Sequence, residues 1–350
     1  MKVQRALAPA THQQHWLVIG LDYLPVEPVC AFLSYLETVG KSPNTCRAYA
    51  HHLKLYGEYL ARCDLAWTAV GLQELAEFMG WLRTPSSATG TARADNTVNV
   101  ILAAVTSFYD FHWRTEQVKE IPFYRYLNAA QRPYKSFLYH TQKGKLVPTQ
   151  VLKRKPQRTQ PKCLRREQVT QLLAACGNLR DRLLVALLYE TGMRIGAALG
   201  LRHADICSWE LTVTIVPRLE NADWARTKGI QAYPLQVTAE WVQLYADYLV
   251  REFRTCRSDY VFVNLWREPY GQALTYAAVA DLFRRLTRKV GFKVHPHMLR
   301  HTHGTELAQY GLDLALVQQR LGHQQVQTTR KYVHLSATEV NAAIRAFQAH

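Results

Sequence analysis

A basic, proline-punctuated segment near the middle of the chain limits the folds that the sequence can adopt more than any other feature. Residues 131–166 carry lysines and arginines throughout and contain no aspartate or glutamate. Proline lacks a backbone N–H and clashes with the preceding helical turn, so a continuous helix cannot run through its four prolines. These are Pro133, Pro148, Pro156 and Pro161. We therefore expect a basic linker, residues 131–162, between two folded parts.

The length and charge of the chain indicate two domains and an anionic partner. The chain has 350 residues, more than one typical domain, and 48% of them are hydrophobic, as is usual for packed cores. Lysines and arginines outnumber aspartates and glutamates by 43 to 27, a net charge of +16. Such an excess is typical of proteins that neutralise a phosphate backbone, although it also occurs in generally basic soluble proteins.

The cysteines and the apolar runs argue against several classes of protein. Seven cysteines, an odd number without a C-x-x-C pair, do not suit a disulfide framework or a zinc ribbon. Residues 1–15 lack the apolar core of a signal peptide, and the most apolar run, 183–189, is too short to cross a bilayer. We expect a soluble, cytoplasmic protein without a membrane partner.

The residues before the linker predict a small helical domain at 26–130, preceded by a loosely ordered arm at 1–25. Apolar side chains recur at helical spacing in four stretches. Three of them are 28–39, 71–82 and 96–113, and the fourth begins after Ser42. The stripes predict a core, and polar residues near the helix starts could hold phosphates. The candidate DNA contacts are Lys41, Asn44, Thr45, Arg47, Lys54 and Arg93, with Lys153, Arg154 and Lys155 of the linker.

The residues after the linker, 163–350, predict a mixed domain of helices around a small sheet. Helices are expected at 166–175, 179–190, 238–253 and 275–290. An alternating, β-branched stretch predicts one strand, and two other stretches predict its hairpin partner and a further buried strand. These are 211–216, 230–235 and 260–263. The expected fold class is mainly α with a small β-sheet.

Lys228, in the turn of this hairpin, is the one lysine between Lys162 and Lys289. Arginine recurs throughout that interval and could supply general positive charge. An ammonium group can give up a proton, which a guanidinium with a pKa above about 12 cannot readily do. Lys228 is therefore a candidate proton donor, and a solvated turn lysine is the alternative.

Pro296 suits the first position of a further helix, because the N–H that it lacks has no partner there. His297, Arg300 and His301 then fall on one face, and Gly311 suits the end of the helix.

Two more helices follow this one in the sequence. One is expected at 312–321, capped by Gly322, and another, from about Thr328, carries Tyr332. An arginine, several imidazoles and a tyrosine from one compact run of helices are suited to an anion.

A metal site is the competing interpretation, because His297, His301 and His303 are close in sequence. The segment has few carboxylates and no cysteine, and Arg300 would place a cation inside the site. We expect no metal and no cofactor.

Several motifs, in this order and at these spacings, resemble the signature of the tyrosine recombinases, the phage integrase family. They are Thr191-Gly192-Met193-Arg194, the hairpin lysine Lys228, His297-Met298-Leu299-Arg300-His301, Leu321-Gly322-His323 and Tyr332. The hairpin region 218–234 resembles transposon-borne members somewhat more than chromosome-dimer resolvases. Where the family usually has an acidic residue, this chain has Ala197, so another group must orient Arg194.

The resemblance implies a SAM-like helical core-binding domain, a linker and a mixed α/β catalytic domain that acts on double-stranded DNA without a metal. The implied catalytic set is Arg194, Lys228, His297, Arg300, His323 and Tyr332. Tyr332 would form a 3′-phosphotyrosyl intermediate, while the two arginines bind nonbridging oxygens. Lys228 would protonate the leaving 5′ oxygen, His297 would act as a base or hydrogen-bond donor, and His323 would donate to the phosphate.

The family also implies a homo-oligomer, a tetramer at synapsis, with accessory or sister recombinases and a nucleoid location. Two alternatives remain, a type IB-like topoisomerase and a catalytically silent DNA-binding relative. The separate amino-terminal domain and a predicted helix beyond Tyr332, at 338–347, favour a strand-exchanging recombinase.

Overall fold

The computed structural model describes residues 1–7, 14–85, 90–119, 124–128, 146–150, 152, 162–218, 221 and 231–322. The chain divides into two compact units, residues 1–158 and residues 159–350. Each unit has its own apolar core. The finer boundaries at 26–130, 131–162 and 163–350 stay predictions.

An antiparallel hairpin opens the first unit. Its strands are β1 (Lys2–Leu7) and β2 (Gln14–Ile19), with Lys2 opposite Ile19. Val18 is fully buried, and Trp16 packs against the same core. The prediction of a loosely ordered arm at 1–25 is therefore wrong. Residues two apart on a strand share a face, so Trp16 and Val18 dock the hairpin on the helices. The alternation of only two residues is hidden by the apolar Leu17 and Ile19 beside them.

Helices supply most of the core that the structure describes in the first unit, as the periodicity predicts. They are α1 (Glu27–Thr38), α2 (Pro43–Arg62), α3 (Leu72–Arg83) and α4 (Asp95–Arg114). The Ser42 hydroxyl accepts a hydrogen bond from the Thr45 N–H at 3.1 Å, and Pro43 takes the first helical position, which fixes the start of α2. The apolar faces meet around Phe32, Phe78 and Phe108.

A second hairpin lies in the later part of the first unit. Its strands, β3 (Tyr124–Asn128) and β4 (Leu146–Gln150), pair antiparallel with Tyr126 opposite Pro148. Strand β4 falls inside the predicted linker, so this part of the linker is a β-strand paired with β3.

Helices surround a three-stranded antiparallel sheet in the second unit. The sheet order is β5 (Ile206–Cys207), β6 (Thr212–Ile215) and β7 (Tyr233–Gln236). The helices are α5 (Arg166–Ala174), α6 (Leu179–Thr191), α7 (Ile195–Leu199), α8 (Ala239–Tyr248), α9 (Tyr276–Val290), α10 (Pro296–Gln309) and α11 (Leu314–Leu321). A π-helical turn, Leu249–Phe253, extends α8. The predicted β6–β7 hairpin and the mainly α fold class with a small sheet are confirmed.

The strand expected at 260–263 is wrong. Val261, Phe262 and Val263 are fully buried, but they take part only in isolated bridges, in which Tyr260 pairs with Arg202 and Val263 with Ala273. Their backbone groups bond elsewhere: the Val261 N–H donates to the Leu201 carbonyl, and the Val261 carbonyl accepts from the Tyr248 hydroxyl. A buried apolar run carries no periodicity that separates a strand from extended, buried loop.

Helix packing in the second unit brings separate parts of the sequence to one place. Helix α10 packs against both α6 and α11. Among the described residues, no helix combines the length and apolar character needed to span a bilayer. The ends of α6 and α11 meet beside α10, and the candidate site lies there.

Candidate active site

The site is built on two helix ends of the same geometry. Helix α6 ends at Gly192 and α11 ends at Gly322, and both glycines adopt the left-handed conformation, with φ of 61° and 59°. The two turns are in contact, because a Cβ atom on Gly192 would lie 2.8 Å from Leu321 Cδ2. Their carbonyl oxygens therefore form one acceptor surface for cations.

Arg300 spans this surface. Its side chain is only 2% exposed, and its two terminal nitrogens donate to the carbonyls of Gly192 and Leu321, each at 2.6 Å. A buried guanidinium is costly unless its donors are paired, and these carbonyls supply partial negative charge without a carboxylate. The planar fork is therefore fixed in place by the two turns that carry the family motifs.

Arg194 is tied to the same surface. It precedes α7 as its N-cap residue, and its Nη1 donates to the Gly322 carbonyl at 3.3 Å. Ala197 is buried on the next turn, at the position where an acidic residue was expected from the resemblance. A backbone carbonyl thus orients Arg194 in this chain.

The three residues predicted to share a face of α10 have different surroundings. Arg300 is buried, whereas His297 is exposed and His301 is half-buried. The His297 and His301 rings stack edge to face, 4.3 Å apart between centroids. His297 is therefore accessible to a substrate, while Arg300 is held by the carbonyls of Gly192 and Leu321.

His303 is buried behind the two turns, with only 8% of its surface exposed. Burial, then the charges of Arg320 and Arg300, lowers the pKa of His303 to about 4. The ring is therefore neutral at pH 7. Its Cδ2 atom would lie 2.7 Å from a Cβ on Gly192, so it packs directly beneath the site. This packing gives His303 a structural role.

An ion pair that the sequence analysis missed lies at Arg218, before the segment predicted to carry Lys228. Arg218, after β6, forms a bidentate pair with the buried carboxylate of Asp205, at 2.7 and 2.5 Å. The hydrogen bonds to Asp205 raise the pKa of Arg218. A basic residue and an acidic residue 13 positions apart give no periodic signal, so only the fold reveals this pair.

Several predicted residues lie outside the described residues. In the catalytic set these are Lys228, His323 and Tyr332, and in the linker they are Lys153, Arg154 and Lys155. Their places in the site stay predictions.

The predicted DNA contacts of the first unit differ in how freely they could reach a phosphate. Lys41 and Arg47 are exposed. Lys54 pairs with Glu58 at 3.0 Å, and Arg93 donates to a helix carbonyl, that of Leu82, at 3.0 Å. The Thr45 hydroxyl lies 2.8 Å from that of Ser42, inside the helix cap. The Arg47 guanidinium also lies over the Trp16 ring, 5.6 Å from its centroid, so Lys41 is the least engaged of these five residues.

Gly192→Ala should destabilise the second unit by about 2–3 kcal/mol, since the left-handed conformation alone costs a non-glycine residue roughly 1–2 kcal/mol. The new methyl would also meet His303 and Leu321 below 3.0 Å. Denaturant unfolding followed by circular dichroism measures the loss.

The control is Gly291→Ala, which has φ of 76° but open space around the new atom. It should cost about 1–2 kcal/mol, the conformational part alone. Equal losses in the two variants would show that the two helix ends are not in tight contact.

Two family patterns match the chain. The pattern of the phage integrase family matches residues 162–339. The pattern of the phage integrase N-terminal SAM-like domain matches residues 29–116.

Curated relatives match nearly the whole chain. Transposase A from transposon Tn554 of Staphylococcus aureus is 39% identical over 345 residues, covering 96% of this chain and 95% of the relative. Tyrosine recombinase XerA of Pyrococcus furiosus is 26% identical over 315 residues, covering 89% and 91%.

Solved structures share the fold. An integrase of transposon Tn1549 in complex with transposon right end DNA aligns with a TM-score of 0.64 and 15% identity, over 91% of this chain and 98% of that one. The XerH recombinase bound to its difH substrate aligns with a TM-score of 0.58 and 22% identity, over 85% and 78%.

Proposed function

The chain belongs to the phage integrase family of tyrosine recombinases, enzymes that break and rejoin DNA strands, and we propose that Tyr332 is its nucleophile. The observation that carries this proposal is the pair of arginines, Arg194 and Arg300, held on one surface of backbone carbonyls. Two guanidiniums fixed side by side match the nonbridging oxygens of one phosphodiester. Rigid donors of this kind stabilise a phosphorane-like transition state without reorganising.

The proposed cleavage step needs no metal. The Tyr332 oxygen attacks the scissile phosphorus, the bond from phosphorus to the 5′ oxygen breaks, and a 3′-phosphotyrosyl ester forms. His297 takes the phenol proton, Lys228 gives a proton to the leaving 5′ oxygen, and His323 donates to a phosphate oxygen. The exposure of His297 on α10 supports its contact with the substrate. Attack by a 5′ hydroxyl of a partner strand reverses the step and completes rejoining.

The substrate of the proposed reaction is double-stranded DNA at a specific site, and the outcome is movement of a DNA element. The similarity to Tn554 transposase A over nearly the whole length supports a transposon-type role. Lys41 and Arg47 would hold phosphates from the first unit, and the basic residues of the linker would add further phosphate contacts. Binding to chromosomal DNA would place the protein at the nucleoid.

A nicked suicide duplex that carries the ends of the cognate element tests the proposal. After cleavage, the short fragment between the cut and the nick, which carries the new 5′ hydroxyl, diffuses away. The covalent protein–DNA adduct therefore accumulates. We expect the adduct in buffer with a chelator, and we expect mass spectrometry of its tryptic peptides to locate the nucleotide on Tyr332. An adduct on another residue, or none with any site that flanks the element, would overturn the proposal and favour a silent DNA-binding relative.

Strand exchange separates a recombinase from a topoisomerase. Joining of the cleaved strand to a second duplex carrying the site supports the recombinase. Relaxation of supercoils with no dependence on such a site would instead identify a type IB-like topoisomerase.

The assembly proposed for strand exchange is a tetramer. We expect truncation after Ser336, which removes the predicted helix at 338–347, to leave binding to one duplex unchanged and to reduce paired-site complexes at least tenfold. Native gels with one and two labelled duplexes measure both. Unaltered pairing and recombination in the truncated protein would sink this role for the terminal helix.

A further inference from the structure

Tyr233, on β7, reaches the same surface as the two arginines. A Cβ atom on Gly322 would lie 2.5 Å from the Tyr233 hydroxyl oxygen and 3.1 Å from its ring carbon Cζ. The hydroxyl group is therefore in contact with the turn whose carbonyl accepts the hydrogen bond from Arg194. The resemblance assigns no role to this position, and sequence analysis took it only as part of a strand.

Arg320 fixes β7 against this turn. Its Nη2 donates both to the Glu190 carbonyl near the end of α6, at 3.1 Å, and to the Gln236 carbonyl at the end of β7, at 2.7 Å. One half-buried guanidinium thus joins the end of α6 to the end of β7. Packing of β7 against the helix end therefore fixes the position of Tyr233 at this turn.

The charge around Tyr233 points to an anion. Burial raises the pKa of its hydroxyl, while the guanidiniums of Arg300, Arg194 and Arg320 lower it. Three cations therefore lie around a hydroxyl that stays protonated at pH 7. No hydrogen bond joins this hydroxyl to another residue in the part of the chain that the structure describes. A protonated hydroxyl among cations is a hydrogen-bond donor for an anionic oxygen.

We propose that the Tyr233 hydroxyl donates a hydrogen bond to one nonbridging oxygen of the scissile phosphate that Arg194 and Arg300 bind, an inference that rests on the recombinase function proposed above. Because the Tyr233 hydroxyl would donate to only one of the two nonbridging oxygens, the two oxygens would have different hydrogen-bond donors. Tyr233 contacts substrate in this arrangement and does not act as a second nucleophile.

Tyr233→Phe tests the contact, because it removes the donor and keeps the ring against Gly322. We expect unchanged affinity for the duplex and unchanged unfolding, with single-turnover formation of the adduct slowed about tenfold or more. Tyr245→Phe is the matched control, since its hydroxyl lies 2.6 Å from His203 Nδ1, outside the site, and its adduct should form at the wild-type rate.

Phosphorothioate substrates separate the contact from a structural effect. Sulfur in place of one nonbridging oxygen weakens hydrogen bonding at that atom and keeps the charge. The loss caused by Tyr233→Phe should shrink toward none on one diastereomer and stay about tenfold on the other. Equal losses on both diastereomers, or no loss on the natural phosphate, would overturn the contact. Failure of the wild-type protein to form any adduct would instead overturn the proposed function.

Discussion

Replacing Tyr332 with phenylalanine should abolish the covalent adduct on the nicked duplex, a loss of at least 10⁴-fold in cleavage rate by analogy with the removal of other catalytic nucleophiles. The phenylalanine ring has no oxygen to attack phosphorus. Binding to DNA should be unchanged, because phosphate contacts elsewhere supply most of the affinity. Denaturing gels of the trapped adduct, with native gels of the same samples, measure the two effects separately.

Tyr310→Phe is the control for Tyr332→Phe. Tyr310 follows α10, at the opposite end of that helix from His297, and is 89% exposed. Its variant should form the adduct at the wild-type rate. A Tyr332→Phe protein that still forms an adduct would show that another residue is the nucleophile, and it would undo the assignment of the whole catalytic set.

The sequence predicted the scaffold of the site because its signals are local. Helical periodicity and caps such as Ser42 and Gly322 depend on neighbouring residues, and the helices that they predict within the described residues are confirmed. The helices predicted from about Thr328 and at 338–347 lie outside the described residues. The prediction failed where burial is decided by distant residues. Trp16 and Val18 dock a hairpin on helices far along the chain, and Val261 to Val263 are buried without entering a sheet.

The motifs predict that Arg194 and Arg300 belong to the site, but not what holds them. A sequence shows Ala197 and suggests a missing partner for Arg194, whereas the partner is a backbone carbonyl, which no side-chain pattern reveals. Tyr233 is missed for a related reason. Its distance from Gly322 depends on how β7 packs against a helix end almost ninety residues later, so only the folded chain brings the two together.

Arg300→Lys should reduce cleavage by about 10²–10³-fold, the effect of removing one preorganised donor from a developing anion. A lysine ammonium cannot donate to both the Gly192 and Leu321 carbonyls and also present a planar fork to phosphate. The Arg300 side chain is buried, so a carbonyl left without its donor should also destabilise the second unit by about 1–3 kcal/mol. Single-turnover cleavage and denaturant unfolding measure the two losses.

Arg194→Lys separates catalysis from folding. Arg194 is half-buried and makes one longer bond to Gly322, so its replacement should slow cleavage about 10²-fold and change stability by less than about 1 kcal/mol. Arg284→Lys, at an exposed pair with Asp281, should alter neither property. Wild-type cleavage by a folded Arg194→Lys or Arg300→Lys protein would mean that the carbonyl surface holds these arginines for stability alone. Slow cleavage by folded Arg194→Lys would instead support binding of the scissile phosphate by this arginine, whatever the stability of the Arg300→Lys variant.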